Sequence, residues 1–266
     1  MVERVRARHN RGMDTIAFAH DPRTLIFVFF VFLLAGLVKG VVGLGLPTVA
    51  VGLLGIVMAP RDAAALLVVP SLVTNVWQLF AGPAFGPLLR RLWPMLAAIV
   101  AGTVGGGVLL PEAGGPDAVA ALGGALLLYA VAGLASFTMH VPAGAERTAA
   151  PIVGLVTGIV TAATGVFVIP AVPYLQGLRL ERDALVQALG LCFTVSTLAL
   201  GASLLLAGAY PAAAAGMSLA ALVPALIGMA CGQWIRGRIR PQTFRRCFFV
   251  GLLGLGLHLM LKPFVG

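Results

Sequence analysis

Residues 24 to 60 of this chain carry a single charge, Lys39, in the stretch GLVKGVVGLGLPTV. An ammonium surrounded by apolar residues can do one kind of chemistry well: it attracts and neutralises an anion. No carboxylate lies inside any apolar run, because the nine acidic residues fall in the N-terminal tail, in the linkers or at the starts of runs. Lys39 therefore has no evident ion-pair partner at its depth. Its alternatives, deprotonation or snorkelling to a face, are costly or geometrically demanding. Gly43, Gly45 and Pro47 follow within eight residues. Such a cluster breaks a helix and lets backbone N–H groups approach an anion. The competing reading is close helix packing, which Gly36 and Gly40 also satisfy.

Further polar residues sit at comparable depth. Asn75 and Gln78 lie in the second apolar run, and Thr194, Ser196 and Thr197 at the matching place in the sixth. These side chains either link helices or line a path. Thr161, Thr164 and Gly165 would line the same centre from the second half, with Thr157 at the position that Lys39 holds in the first. A membrane threonine can equally bond its own helix backbone. Asp62 and Asp183 each follow an arginine at an element start and read as helix N-caps, or as gate charges. No Ser/His pair, metal-ligand cluster or Cys/His pair suggests an enzyme, and no cofactor is implied. The three cysteines (Cys192, Cys231, Cys247) read as reduced structural thiols. No Walker A motif is present.

The elements that must position these residues are set by composition. Hydrophobic residues make up 60% of the chain and charged residues 10%, and mean hydropathy is +1.02. That leaves too little polar surface to cover a soluble globule. Long uncharged runs recur near 24–58, 63–82, 92–111, 117–140, 149–178, 184–208, 211–235 and 243–262. The expectation is an all-α polytopic membrane protein of about eight hydrophobic elements in a lipid bilayer. The formal charge of +9 resides in arginines between the runs, which suits anchoring at a membrane face and not nucleic-acid binding.

Two elements are too long. Residues 24–60 as one helix would measure roughly 55 Å, and 148–178 roughly 46 Å, against a hydrocarbon core of about 30 Å. Each should break, at GLGLP and at TAATG followed by Pro170 and Pro173. The two segments also match each other: GLVKGVV with GLVTGIV, and PRDAAALLV with ERDALVQAL. AGTVGGGVL and IGMACGQWI are a looser pair. The chain thus divides into a basic tail (1–23), a first transmembrane repeat (24–140), a linker (141–148) and a second repeat (149–262), four elements in each copy. The loop RGRIRPQTFRR, 236 to 246, should be cytoplasmic. A fifth element with no net crossing then puts every loop arginine after Arg61 on that side and implies inverted repeats. A first element that simply crosses is the alternative. The arginines of the tail oppose inversion unless the chain starts at Met13.

The Gly-rich GVVGLGLPTV, the following APRDAAALLVVPSLVTN, their repetition, and the C-terminal GQWIRGRIRPQTFRR together resemble the sulfite exporter TauE/SafE family of anion permeases over roughly residues 25 to 262. That resemblance implies secondary transport of sulfite, sulfoacetate, other organosulfonates or related small anions across the bacterial cytoplasmic (inner) membrane. An anion channel, or a permease for another small carboxylate or inorganic anion, is the alternative. Self-association into a homo-oligomer stays open.

Overall fold

The computed structural model describes residues 21–109, 116–142 and 144–265, and among these it is all-helical, with no strand. The helices are α1 (Pro22–Val42), α2 (Leu46–Leu54), α3 (Pro60–Leu79), α4 (Phe85–Leu109), α5 (Pro116–Leu134), α6 (Glu146–Thr164), α7 (Ala171–Gly177), α8 (Arg182–Leu206), α9 (Ala212–Arg236) and α10 (Pro241–Val265). Eight of them are long and apolar enough to cross a membrane. The two short ones, α2 and α7, follow the two breaks. The basic tail up to residue 20, with Met13 and four of its arginines, lies outside the described residues.

α1 starts sharply. The Asp21 carboxylate accepts from the Arg23 and Thr24 amides at 3.2 and 3.3 Å, with Pro22 pre-set for the first turn. The Thr24 hydroxyl and the Arg23 amide hold that carboxyl below its ordinary pKa. The helix ends equally sharply at Gly43, which turns left-handed (φ 81°) and donates to the Lys39 carbonyl at 2.7 Å. Gly45 (φ 105°) then reverses the chain into α2. In the second half α6 ends in the same way: Gly165 has φ 73° and donates to the Thr161 carbonyl at 2.8 Å. An extended stretch and a cis Ile169–Pro170 peptide lead into α7. Counted from the shared GLV motifs, this cap comes four residues later than Gly43, so α6 continues about one turn further past the motif.

The two left-handed glycines predict different tolerances. A Cβ on Gly43 would meet nothing within 4 Å, whereas on Gly165 it would lie 2.7 Å from Ala64 Cβ. Gly43→Asn should therefore cost less than about 1 kcal/mol, since asparagine visits this region. Gly165→Asn should cost about 2 kcal/mol or more, from the added clash. Thermal unfolding of the two variants in detergent checks the ordering.

α3 and α8 are the most buried of the spanning helices and pack on each other at the centre. Around them α1 packs on α9, α4 on α6, and α5 on α10. The first two contacts are made by glycines at i, i+4 on both helices. A Cβ on Gly36 or Gly40 would fall 2.1 Å from the Ala225 carbonyl oxygen or 2.3 Å from that of Met229. Reciprocally, a Cβ on Gly228 or Gly232 would fall 2.0 or 2.2 Å from the carbonyl oxygen of Leu33 or Leu37. In the other pair, a Cβ on Gly154 or Gly158 would fall 2.2 or 2.5 Å from the Met95 or Ile99 carbonyl oxygen, and one on Gly102 2.5 Å from that of Leu155. Backbones this close leave no room for side chains, the packing that small residues permit between membrane helices.

Hydrogen bonds sort the turns onto two faces. On one, Gln187 at the start of α8 ties down the turn after α3. Its amide donates to Leu79 O and Gly82 O at 2.8 and 2.6 Å and accepts from the Ala84 amide at 2.8 Å. Arg91 pairs with Glu146 at 2.6 Å, Met139 N–H donates to Pro173 O at 3.2 Å, and Arg245 reaches Ser136. This is the arginine-rich face. On the other, Lys262 Nζ donates to Ile56 O at 2.6 Å, and Arg61, Gly107, Gly165 and Ala207 come together. The α1–α2 unit thus begins and ends at this second face, and α6–α7 begins and ends at the arginine-rich face.

Two element boundaries differ from the hydropathy pattern. α4 begins at Phe85, well ahead of the apolar run at 92, because Leu88 and Leu92 are buried while Arg90 and Arg91 stay exposed. Pro87 lies in the first turn, where its missing N–H costs nothing. α5 stops at Leu134, short of 140: Ser136 turns left-handed (φ 51°), and Met139 bonds to α7.

Candidate anion site

Lys39 is 6% exposed, on the face of α1 that meets α3. Its Nζ donates to Asn75 Oδ1. The Asn75 amide in turn donates to Ser71 Oγ at 3.0 Å and Thr197 Oγ1 at 3.3 Å, and these two hydroxyls are 3.1 Å apart. Thr197 Oγ1 also donates to Phe193 O at 2.7 Å. The cluster therefore joins α1, α3 and α8. Every acidic side chain among the described residues is exposed or only half-buried. The ammonium is held by dipoles alone, and one of its three N–H donors is engaged.

α3 carries Ser71 and Asn75 one turn apart, just past Pro70. A proline inside a helix leaves the carbonyl four residues back without its donor. Here Leu66 O receives the Ser218 hydroxyl of α9 at 2.8 Å, and Ser218 Oγ accepts the Val69 amide at 3.0 Å. Ser218 is fully buried. It repairs the break and holds the helix segment that presents the polar pair.

Gln78 lies one turn further along α3. It donates to Val186 O at 3.1 Å and toward Gly43 O at 3.4 Å, and its Oε1 is buried without a partner. Gly43, Gly45 and Pro47 form the break that follows Lys39, with Thr48 Oγ1 donating to Gly45 O at 2.9 Å. The amides of Leu44 and Gly45 donate no hydrogen bond, so the turn presents free N–H groups.

Of the residues from the second half, Thr161, Thr164 and Thr194 donate to carbonyls of their own helices, each at 2.7 Å. Thr164 also accepts from the Val166 amide at 3.2 Å. Gly165 caps α6 beside Ala64, at the far end of α3 from Gln78. Ser196 is fully buried and its hydroxyl has no hydrogen-bond partner. The structure thus brings Lys39 and Asn75 together, places Gln78 beside the α1 break, and leaves the threonines on their own backbones. Ser71 escaped the sequence reading; its signal was the i, i+4 spacing to Asn75. Thr197, named by its depth as a residue that links helices or lines a path, is the one that bonds across to α3.

Among the described residues no three His, Cys, Asp or Glu side chains come together as a metal site. A buried cation held by one amide oxygen, with donors to spare, suits the binding of an anion. No curated protein and no solved structure gives a match to the chain. A family model described as "Sulfite exporter TauE/SafE" matches residues 28–259, a span that takes in both broken helices and the whole Lys39 cluster. The chain belongs to the sulfite exporter TauE/SafE family of membrane transporters.

Proposed function

We propose that this protein is a secondary exporter of small sulfur-containing anions, such as sulfite, sulfoacetate or other organosulfonates, across the bacterial inner membrane. The observation that carries the reading is the buried Lys39 ammonium with no carboxylate beside it. Asn75 orients it, Ser71 and Thr197 orient Asn75, and the remaining ammonium protons hold the substrate's oxygens. The open turn Gly43–Pro47 and Gln78 form one end of the path. Thr161, Thr164 and Gly165 form the other, and Thr194 and Ser196 line the stretch between. With the arginine-rich face cytoplasmic, an anion moving outward gains about 2.3 kcal/mol per charge per 100 mV of inside-negative potential. Export then needs no proton-carrying carboxylate.

The exchange of partners supports an inverted duplication. α1 packs on α9 as α6 packs on α4, and α3 meets α8, as α5 meets α10, across the pseudo-symmetry. The two broken units open toward opposite faces. Paired, inverted broken helices around a midplane site are the architecture of many secondary transporters.

Liposomes containing the purified protein test this. Labelled sulfite or sulfoacetate inside should leave at a rate that saturates with concentration, and unlabelled anion outside should drive counterflow. Flux that is linear in concentration and shows no counterflow would make the protein a channel. No flux of any of these anions would remove the substrate class.

A further inference from the structure

A second polar centre lies near the α1 break, at the arginine-rich face. It is a cavity of about 350 Å³ walled by the end of α1 (Val42), by α5 and its C-terminal turn (Tyr129, Ser136), by α7 (Gln176) and by the start of α10 (Arg245, Phe249). Lys39 is not part of its wall. Arg245 is half-buried. One guanidinium nitrogen, Nη2, donates to Gly133 O at 3.2 Å and Ser136 Oγ at 3.1 Å. Its Cζ lies over the Phe249 ring, 5.8 Å from the centroid. Nε and Nη1 make no hydrogen bond to the described residues, so the side chain is fixed by its packing yet keeps donors in reserve. Tyr129 packs edge-on against the same Phe249 ring, 5.2 Å between centroids. It is 3% exposed, and its hydroxyl has no hydrogen-bond partner. A buried, unpaired hydroxyl beside an under-used arginine is an expensive arrangement unless something else completes it.

We propose that this cavity is a binding site for a small organic anion, with its acidic head on Arg245 and Tyr129 and its apolar body against Phe249 and Val42. Volume and wall decide the class. The cavity is within the range of roughly 300–1,000 Å³ that small organic ligands occupy. An inorganic oxyanion would fill only a small part of it and leave the aromatic wall uncovered. With Nη2 engaged, Nε and Nη1 each keep a charge-assisted donor for one oxygen of a sulfonate or carboxylate. The exposed Ser136–Thr138 turn leaves the cavity open toward the arginine-rich face. An anionic lipid head group would satisfy the same donors, and the test separates the two sources.

The experiment measures benzenesulfonate binding by calorimetry to the full chain in phosphatidylcholine nanodiscs. Saturable binding is expected, with sulfite bound at least about tenfold more weakly. Arg245→Gln should weaken benzenesulfonate about tenfold or more, and Tyr129→Phe about five- to tenfold, the loss of one charge-assisted hydrogen bond. Lys39→Met should leave the Arg245-dependent part of the binding in place even where it abolishes flux, which separates this site from the transport reading. Should Arg245→Gln fail to elute as a single species, Tyr129→Phe decides. Wild type that binds no benzenesulfonate overturns the proposal, as does full affinity in Tyr129→Phe. Loss of the Arg245-dependent binding in Lys39→Met would merge the cavity with the transport site and overturn it as a separate one. A tenfold or greater loss on replacing phosphatidylcholine by phosphatidylglycerol would assign the cavity to a lipid head group instead.

Discussion

Lys39→Met is expected to lower saturable anion flux by at least about 100-fold while the protein still inserts and elutes as a single species. The size follows from the chemistry. A charge-assisted contact to an anion in a desolvated site contributes about 3 kcal/mol, which is two decades in rate or affinity. No neighbouring cation replaces it: the rest of the cluster is an amide and two hydroxyls. Stability should change little. The variant leaves Asn75 Oδ1 without its donor, a cost of about 1–3 kcal/mol, but removes a buried ammonium that had no counter-ion, and the two effects oppose each other. Flux in proteoliposomes, scored against the amount of protein reconstituted, is the measurement. Wild-type rates in Lys39→Met would reduce the lysine to a structural link between α1 and α3.

Gly36→Leu should abolish the folded protein. The first atom of the new side chain would fall 2.1 Å from the Ala225 carbonyl oxygen, against backbone that cannot rotate away. Relief requires α1 and α9 to separate, which also parts Gly40 from Met229 and Gly232. Ordinary overpacking costs about 1–3 kcal/mol. Forcing two backbones apart along several turns should exceed that and consume most of a stability of order 5–15 kcal/mol. Gly254→Ala in α10 is the control, since a Cβ there meets nothing within 4 Å. It should be neutral or stabilise by up to about 1 kcal/mol. Fluorescence-detected size-exclusion after a temperature ramp would read both. A Gly36→Leu protein as heat-resistant as wild type would contradict the close approach of α1 and α9.

The spanning helices were legible because an uncharged run of that length has few other fates, and the two breaks because their segments were far too long to be single helices. The turn of extra helix in α6 was not legible. GIVTAATG continues as helix past the point where GVVGLGLP stops, and only the position of the left-handed glycine distinguishes them. The loose match of AGTVGGGVL to IGMACGQWI had a physical content that sequence could not display: Gly102 and Gly228 each approach the backbone of a broken helix, each in the other half of the chain. For the site, Lys39 stood out by charge and Asn75 by depth. Ser71 did not, and Thr197 was not told apart from Thr194 and Ser196, because a hydroxyl in a membrane helix is equally at home on its own backbone. Which of these it does depends on what the opposite helix presents. The start of α4 was hidden for a related reason: its first turns are amphipathic, so a hydropathy average read them as linker.

The crossed pairing of helices bears on how the chain is made. α1 emerges from the ribosome early, yet the glycines that receive it, Gly228 and Gly232, are encoded near the end. At about 5–20 residues per second, the roughly 190 residues between Gly36 and Gly228 take on the order of ten to forty seconds to synthesise. Throughout that interval the side of α1 that bears Gly36 and Gly40 lacks the helix that covers it. Asn75 arrives within the first few seconds of the interval. The polar link to α3 can therefore shield the ammonium long before α9 closes over the other side.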